Sequence, residues 1–240
     1  MVNNGQLANI VAQGAETLEI SLPPEAFLAF EAYYTFLEKQ GKNVNLTSIT
    51  GVNDVARLHF LDSIALLKAV RFDGARVIDI GSGAGFPGVP LKIAKPTIDL
   101  TLLDATVKRV TFLSELCAAL PLSAVIKNSR AEDAAHLPDM RENFDIAVSR
   151  AVARLNILCE LCIPFVRIGG VFIAMKGVDS TEELTQARDA IYTLGAEVQN
   201  YLDYTVPGTD ITHRALVIAK TSSTPDKYPR RFSKIRKASL

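Results

Sequence analysis

The chain has few of the residues that mark secreted, membrane-spanning or metal-bound proteins. Its 240 residues include three cysteines, Cys117, Cys159 and Cys162. These are too few, and too apolar in setting, for a disulfide framework, so a reducing cytoplasm is the expected location. No apolar run reaches the roughly 18 residues that a membrane span needs, and no membrane partner is expected. Residues 1–38 contain neither Lys nor Arg. No basic start of a secretory signal is visible there, and the missing arginine argues against a transit peptide. The three histidines, His59, His136 and His213, show no metal-ligand spacing, and no metal is expected. Nor does a GK[ST] triplet follow the main glycine cluster, as a kinase-type phosphate loop requires. The formal net charge is zero, but it is unevenly spread. Residues 1–38 hold five Glu, whereas residues 220–240 hold seven basic residues against Asp226 alone. A basic tail suits a polyanion, and it equally suits a plain solvated surface.

What is present is organised around residues 77–88, VIDIGSGAGFPG. An apolar strand, a glycine turn and a helix start place backbone N–H groups where a nucleotide-like ligand can approach closely. Hydrophobic residues make up 48% of the chain, enough for a sizeable core.

Residues 1–22 show no clear period and are expected to be loosely ordered. After Pro23-Pro24, Phe27, Phe30, Tyr34 and Leu37 mark one face of a helix ended by Gly41. Residues 43–50 read as a loop. A second helix runs from about Asp54 to Val70 through Leu58, Leu61, Ile64 and Leu67. Strands are expected at 77–80, 98–104, 124–127, 144–149 and 171–176. Helices are expected at 89–94, 106–120, 181–194 and 155–166, the last closed by Gly169-Gly170. Residues 197–206 and 212–220 read as an antiparallel pair joined by 207–210. The alternation predicts an α/β, Rossmann-like fold: a mostly parallel seven-stranded sheet with a terminal antiparallel strand and an N-terminal helical cap. The expected divisions are a cap over 1–72, a ligand-binding domain over 73–222 and a basic tail over 223–240. Ligands should bind at the carboxyl ends of the strands.

The turn narrows the ligand. A dinucleotide fingerprint GxGxxG starting at Gly81 would need glycine where Phe86 stands. The chain has GxGxG instead, through Gly81, Gly83 and Gly85, with Asp79 two residues ahead. That suits S-adenosylmethionine (SAM), which has an amino-acid end, a ribose and an adenine but no phosphate. Asp79 can receive the ammonium group, directly or through water. Asp104, at the end of the next strand, can take the ribose hydroxyls. Ala131 and Glu132, after the third strand, can flank the base. Strand-end turn residues are the bland alternative for both aspartates.

A co-linear series of motifs resembles the small-subunit ribosomal RNA guanine-N7 methyltransferase G family, also called glucose-inhibited division protein B. It comprises Asn45-Leu46-Thr47, His59-Phe60-Leu61-Asp62-Ser63, and DIGSGAGFPGVP from Asp79. It continues through Leu103-Asp104 with Lys108-Arg109 and Phe112-Leu113, Ser149-Arg150-Ala151, Met175-Lys176-Gly177, and Lys227-Tyr228-Pro229-Arg230-Arg231. The resemblance covers roughly residues 30–237. It implies a monomeric enzyme acting on 16S rRNA in the small ribosomal subunit, with SAM contacts at Gly81, Phe86, Asp104, Ala105, Thr106, Ala131, Glu132 and Arg150. Two departures stand out. Gln40 replaces the Trp of many members, and FSKIRKASL follows Arg231 where members more often have a Gly- and Pro-containing tail.

Absent devices fit N7 chemistry. There is no [DNS]PP[YFW] for an exocyclic amine, and no cysteine at a strand-end loop for C5 attack. Cys159 and Cys162 lie i, i+3 in an apolar run and read as core residues. Guanine N7 carries a lone pair and no proton, so it needs no general base. Arg150 is the candidate catalytic residue, positioning a phosphate or the guanine O6/N7 edge. It could instead be structural, paired with Glu132 or Asp145. Phe86 packs on the cofactor or on the sheet. Lys108, Arg109, Lys176, Lys227, Arg230 and Arg231 are the candidate RNA contacts, with Arg214 and Lys220 near them. The rival readings are a SAM enzyme for a protein or small molecule, using residues 24–70 as a closed cap, and a non-catalytic SAM-fold RNA-binding protein.

Overall fold

Strands β1 (Arg76–Ile80), β2 (Asp99–Asp104), β3 (Ala124–Asn128), β4 (Phe144–Arg150), β5 (Val166–Gly177), β6 (Ala196–Thr205) and β7 (Thr212–Lys220) form one sheet in the computed structural model. The structure describes residues 5–40, 47–150 and 153–240. The strand order is β3-β2-β1-β4-β5-β7-β6. The first five strands pair in parallel. β7 runs antiparallel to both β5 and β6, so the antiparallel strand that is last in sequence lies one position inside the sheet edge.

Helices cover both faces, and β1 shows why. Its alternate residues Ile78 and Ile80 join one apolar cluster, and Val77 joins the other. With both faces covered, a near-continuous apolar strand is what the fold demands. The interruption, Asp79, points toward the cap side and has no exposed surface.

The cap contains α1 (Gln6–Thr17), α2 (Glu25–Gln40), α3 (Val52–Val55) and α4 (Asp62–Ile64), with a π-helical turn, Ala56–Leu61, joining the last two. α1 overturns the expectation of a loosely ordered start. Leu7, Val11, Gly14 and Ala15 form a buried face along it, and a Cβ on Gly14 would fall 2.1 Å from Leu61 Cδ1. α2 buries Phe30, Tyr34 and Leu37 as expected, and Tyr33 besides, while Phe27 is only half-buried. Its predicted stop at Gly41, the first half of the 43–50 loop and the Asn45-Leu46 pair lie outside the described residues.

The remaining helices are α5 (Gly88–Ala94), α6 (Val107–Ala119), α7 (Ala131–Ala134), α8 (Leu155–Cys162), α9 (Thr181–Thr193) and α10 (Phe232–Lys237). α8 ends earlier than its apolar run. A 3-10 turn, Ile163–Phe165, carries Pro164, and Val166 already belongs to β5. Gly169-Gly170 therefore does not close a helix. It lies within β5 where the pairing to β4 shifts register, and a Cβ at Gly170 would meet the Asp145 carbonyl at 2.5 Å. All three cysteines are buried and unpaired. Residues 223–240 are no free tail either: Tyr228 and Ile235 are buried in the second apolar cluster.

Candidate active site

The glycine turn leaves β1 at the point where strand order reverses between β2 and β4, the usual ligand crevice of such sheets. Its backbone is pinned to the end of β2. The Gly81 and Ser82 N–H groups donate to the Leu103 carbonyl at 2.8 and 3.2 Å. The Gly83 N–H donates to Asp104 Oδ2 at 3.0 Å, and the Thr106 N–H donates to Asp104 Oδ1 at 2.8 Å. Asp104 thus ties the two strand-end loops together. Gly85 has φ +103°, and a Cβ there would fall 2.6 Å from Tyr33 Oη. That hydroxyl donates to the Ala84 carbonyl at 2.6 Å, so α2 of the cap holds the turn directly.

Asp79 braces the same turn from below. Its Oδ2 accepts the Gly88 N–H at 2.8 Å. Its Oδ1 is buried with no hydrogen-bond partner. Burial pushes the carboxyl up to about 7, although the Gly88 N–H and the charge of Arg150 pull the other way. An ammonium group or a water would satisfy the orphan oxygen.

Gly81, Asp104, Ala105, Thr106, Ala131 and Glu132, all expected at the cofactor, line one cavity of about 190 Å³. Ile80, Leu103, Leu161 and Phe232 supply its apolar walls. Sites that bury a whole drug-sized ligand begin at roughly 300 Å³, so this cavity fits one end of an extended cofactor. Asp104 and Glu132 supply two carboxylates and the four apolar residues a wall, a set that could hold a ribose and a base. Gly83, Gly85, Asp79, Phe86 and Arg150 do not line it.

Phe86 belongs to the apolar cluster that includes Val148 and Ile173 of the sheet, and it does not line the cavity at Asp104. Its ring stacks between Tyr33 (5.3 Å, 12°) and His59 (4.2 Å, 20°) of the cap. The guanidinium of Arg150 lies 4.9 Å from the same ring.

Arg150 ends β4 and borders a separate cleft of about 510 Å³, with Leu58, His59, Asp62, Lys176 and His213 among its neighbours. Neither proposed structural partner holds it. Asp145 pairs with Arg167 at 2.6 Å, and Glu132 lies 3.9 Å from Arg130. Arg150 instead bonds the cap: Nη1 donates to the Leu58 carbonyl at 3.1 Å and to Asp62 Oδ2 at 3.2 Å. The π turn makes this possible. It moves the Asp62 N–H onto the Arg57 carbonyl, and the Leu58 carbonyl that an α-helix would pair with that N–H accepts from Arg150 instead.

Arg150 Nη2 lies 2.9 Å from His59 Nδ1. A guanidinium can only donate, so Nδ1 accepts and the ring proton sits on Nε2, 2.8 Å from Thr47 Oγ1. Burial, then the charge of Arg150, lowers His59 to about 3, leaving it neutral. Asp62 is the hub. Its Oδ1 accepts from Tyr204 Oη at 2.8 Å and meets His213 Nδ1 at 2.7 Å. That bond to Asp62 raises the pKa of His213. Asp62, His213 and Tyr204 carried no role in the sequence reading. The i, i+3 spacing of His59 and Asp62 was the available signal for one shared helix face; the approach of β7 was not visible. Ala151, next to Arg150, lies outside the described residues.

The basic candidates divide. Lys108, Arg109, Lys227 and Arg231 are exposed, with Arg109 3.5 Å from Asp104. Lys176 and Arg230 are committed inside the protein. Lys176 Nζ donates to the Ala153 carbonyl and pairs with Glu183, both at 2.8 Å. Arg230 makes a bidentate pair with Glu160, at 2.8 and 2.6 Å. Arg214 pairs with Asp203 at 2.6 Å, and Lys220 is buried against Glu142 and Thr224.

The sheet order and the glycine turn at its switch point define a Rossmann-like protein of the methyltransferase class. Among solved structures, a methyltransferase from Pyrococcus furiosus superposes with a TM-score of 0.56 at 12% identity, over 78% of this chain and 100% of that one. TrmN from Thermus thermophilus gives 0.52 at 20% identity, over 67% and 48%. These likenesses concern the fold alone. The family model described as rRNA small subunit methyltransferase G matches residues 27–211, and the chain belongs to that family. A relative named ribosomal RNA small subunit methyltransferase G from Alkaliphilus oremlandii is 46% identical, over 95% of this chain and 97% of its own length. Its namesake from Caldanaerobacter subterraneus is 44% identical, over 95% of each.

Proposed function

We propose that this chain transfers a methyl group from SAM to N7 of a guanosine in 16S rRNA, as a cytoplasmic monomer. Membership of a family of small-subunit rRNA methyltransferases supports the reaction class. The observation that carries the site is the convergence of Gly81, Asp104, Ala105, Thr106, Ala131 and Glu132 on one cavity at the glycine turn. Bound there, SAM would supply an electrophilic methyl group. Asp104 would accept the ribose hydroxyls, Ala131 and Glu132 would flank the base, and the unpaired oxygen of Asp79 would face the ammonium end, directly or through water. Gly83, Gly85 and Phe86 shape the turn that does this. No described helix is long and apolar enough to cross a membrane.

Arg150 would hold the guanine edge or its phosphate in the cleft, with its charge balanced by Asp62. Neutral His59 fixes the guanidinium and removes no proton, because N7 has none to lose. The cap (1–72) and the domain (73–222) share this cleft. A base in structured RNA must leave its stack to enter, at a cost of a few kcal/mol. Lys108, Arg109, Lys227 and Arg231 would bind backbone phosphates.

The test is incubation with radiolabelled SAM and small ribosomal subunits, naked 16S rRNA or total protein, followed by nucleoside analysis. The expected product is 7-methylguanosine in 16S rRNA. Label confined to protein, or none in any fraction, would overturn the reading.

A further inference from the structure

The cavity at Asp104 is closed on one side by a residue from the far end of the chain, Phe232. Phe232 begins α10, and its place is imposed. The guanidinium of Arg141 donates to the Thr224 and Tyr228 carbonyls, each at 2.8 Å. Arg230 is clamped to Glu160, and Ile235 is fully buried. A strap held at both ends therefore sets an aromatic ring at the cavity wall. Across that ring lies an open cleft of about 840 Å³, where Phe232 is joined by Arg130, Arg231, Arg236 and Lys237. All four of these cations are exposed. Asp133 and the mostly buried Glu132 are the acids facing them.

We propose that α10 is a binding element shared by cofactor and RNA: Phe232 forms a wall of the purine end of the SAM site, and Arg130, Arg231, Arg236 and Lys237 bind RNA phosphates on its outer side. The proposal rests on the SAM reading above. An apolar ring beside a carboxylate suits a flat heterocycle, because a purine offers a π-face to stack and an amine to donate. A cluster of exposed cations with few opposing acids suits a phosphate backbone, whose binding gains from released counterions. The placement of α10 means that one helix senses both ligands.

The test measures SAM affinity of the full chain by calorimetry, and RNA affinity as a function of salt. Phe232→Ala should weaken SAM binding about tenfold, the loss typical of one aromatic stacking partner, with an unchanged melting temperature in the absence of ligand. If it melts early, Phe232→Leu, which keeps volume but loses the ring face, should show the same loss. The double substitution Arg236→Glu with Lys237→Glu should leave SAM affinity unchanged. It should weaken RNA binding and flatten the dependence of log affinity on log salt by about 1.5 to 2. Asp104→Ala serves as the control for the cofactor site. Unchanged SAM affinity in both Phe232 variants, with Asp104→Ala impaired, overturns the role of α10 and spares the SAM reading. Unchanged affinity in all three overturns both. An unaltered RNA salt dependence in the charge-reversed variant overturns the outer half of the proposal.

Discussion

Asp62 of the cap holds Arg150 of the sheet, with Oδ2 3.2 Å from Nη1. Both groups are removed from water, Asp62 almost completely, with 2% of its surface exposed. Asp62 also gathers Tyr204 and His213 from the last hairpin. Three distant parts of the chain therefore meet at one carboxylate beside the Arg150 cleft. The cap is part of the wall of that cleft rather than an appendage.

Removing that carboxylate should cost more than its charge. Asp62→Ala leaves a largely buried guanidinium without its counter-ion, a loss worth roughly 3–5 kcal/mol in buried pairs. Urea unfolding should show it. Asp62→Asn keeps the shape and loses the charge. It should lower kcat on rRNA while leaving SAM affinity unchanged, because Arg150 does not line the cavity at Asp104. Equal loss of SAM affinity would place Arg150 at the cofactor instead.

Two buried groups should oppose each other in the pH dependence of stability. His59 falls from 6.5 to about 3 on folding, so between those values the unfolded chain binds more protons and stability rises with pH. Asp79 rises from 3.8 to about 7, so over most of the same window the folded chain binds more and stability falls with pH. Each slope is about 1.4 kcal/mol per pH unit. Asp79→Asn should uncover the His59 slope, losing stability faster than wild type on acidification from about pH 6 to about pH 5. His59→Asn should uncover the opposite slope. Chemical denaturation at the two pH values checks both, and parallel curves for all three proteins would refute the assignment.

Much of this architecture was legible in the residues. The glycine turn, its flanking acids and the strand alternation are local patterns, and local patterns survive into structure. Asp104, Ala131 and Glu132 come together because each ends or follows a parallel strand; strand alternation points to those strand ends, and the family resemblance to Ala131 and Glu132 in particular. The hub at Asp62 was not legible, since it depends on a π turn in the cap and on which face of β7 meets it. The ion pairs of Arg230 and Lys176 were not legible for a related reason. Sequence shows a charge but not its partner, and Glu160 and Glu183 lie on other helices. α1 was missed although Leu7, Val11, Ala15 and Leu18 carry a helical period, because no strong start or stop signal frames them.

Tyr33 gives a test of how the cap supports the turn. Its hydroxyl donates to the Ala84 carbonyl at 2.6 Å, and the ring stacks on Phe86. Tyr33→Phe keeps the stack and strands a buried carbonyl, at a cost of about 1–3 kcal/mol. SAM affinity should fall with it, since Gly83 in that loop donates its N–H to Asp104. Gly85→Ala should be worse, because it combines a left-handed backbone with a Cβ 2.6 Å from the same hydroxyl. Calorimetry alongside thermal melting separates the two effects. Full SAM affinity in Tyr33→Phe would mean that the turn holds its shape without the cap.

The basic C-terminal segment calls for substitutions chosen by partner. Glu160 has no exposed surface and accepts both the backbone N–H and the guanidinium of Arg230. Arg230→Glu sets a second carboxylate against the fully buried Glu160. Removing one partner of a buried pair costs roughly 3–5 kcal/mol, and like charge adds to it. Its expected result is a lower melting temperature and release of α10, so any loss of RNA methylation in that variant reports unfolding. Lys227 and Arg231 are exposed. Their joint change to Glu should leave melting and SAM affinity intact, weaken RNA binding and flatten its salt dependence. Arg230→Lys should fall between the two, since an ammonium cannot reproduce the bidentate fork. If Arg230→Glu melts like wild type, the Glu160 pair does not anchor the strap, and Phe232 loses the restraint that sets it at the SAM cavity.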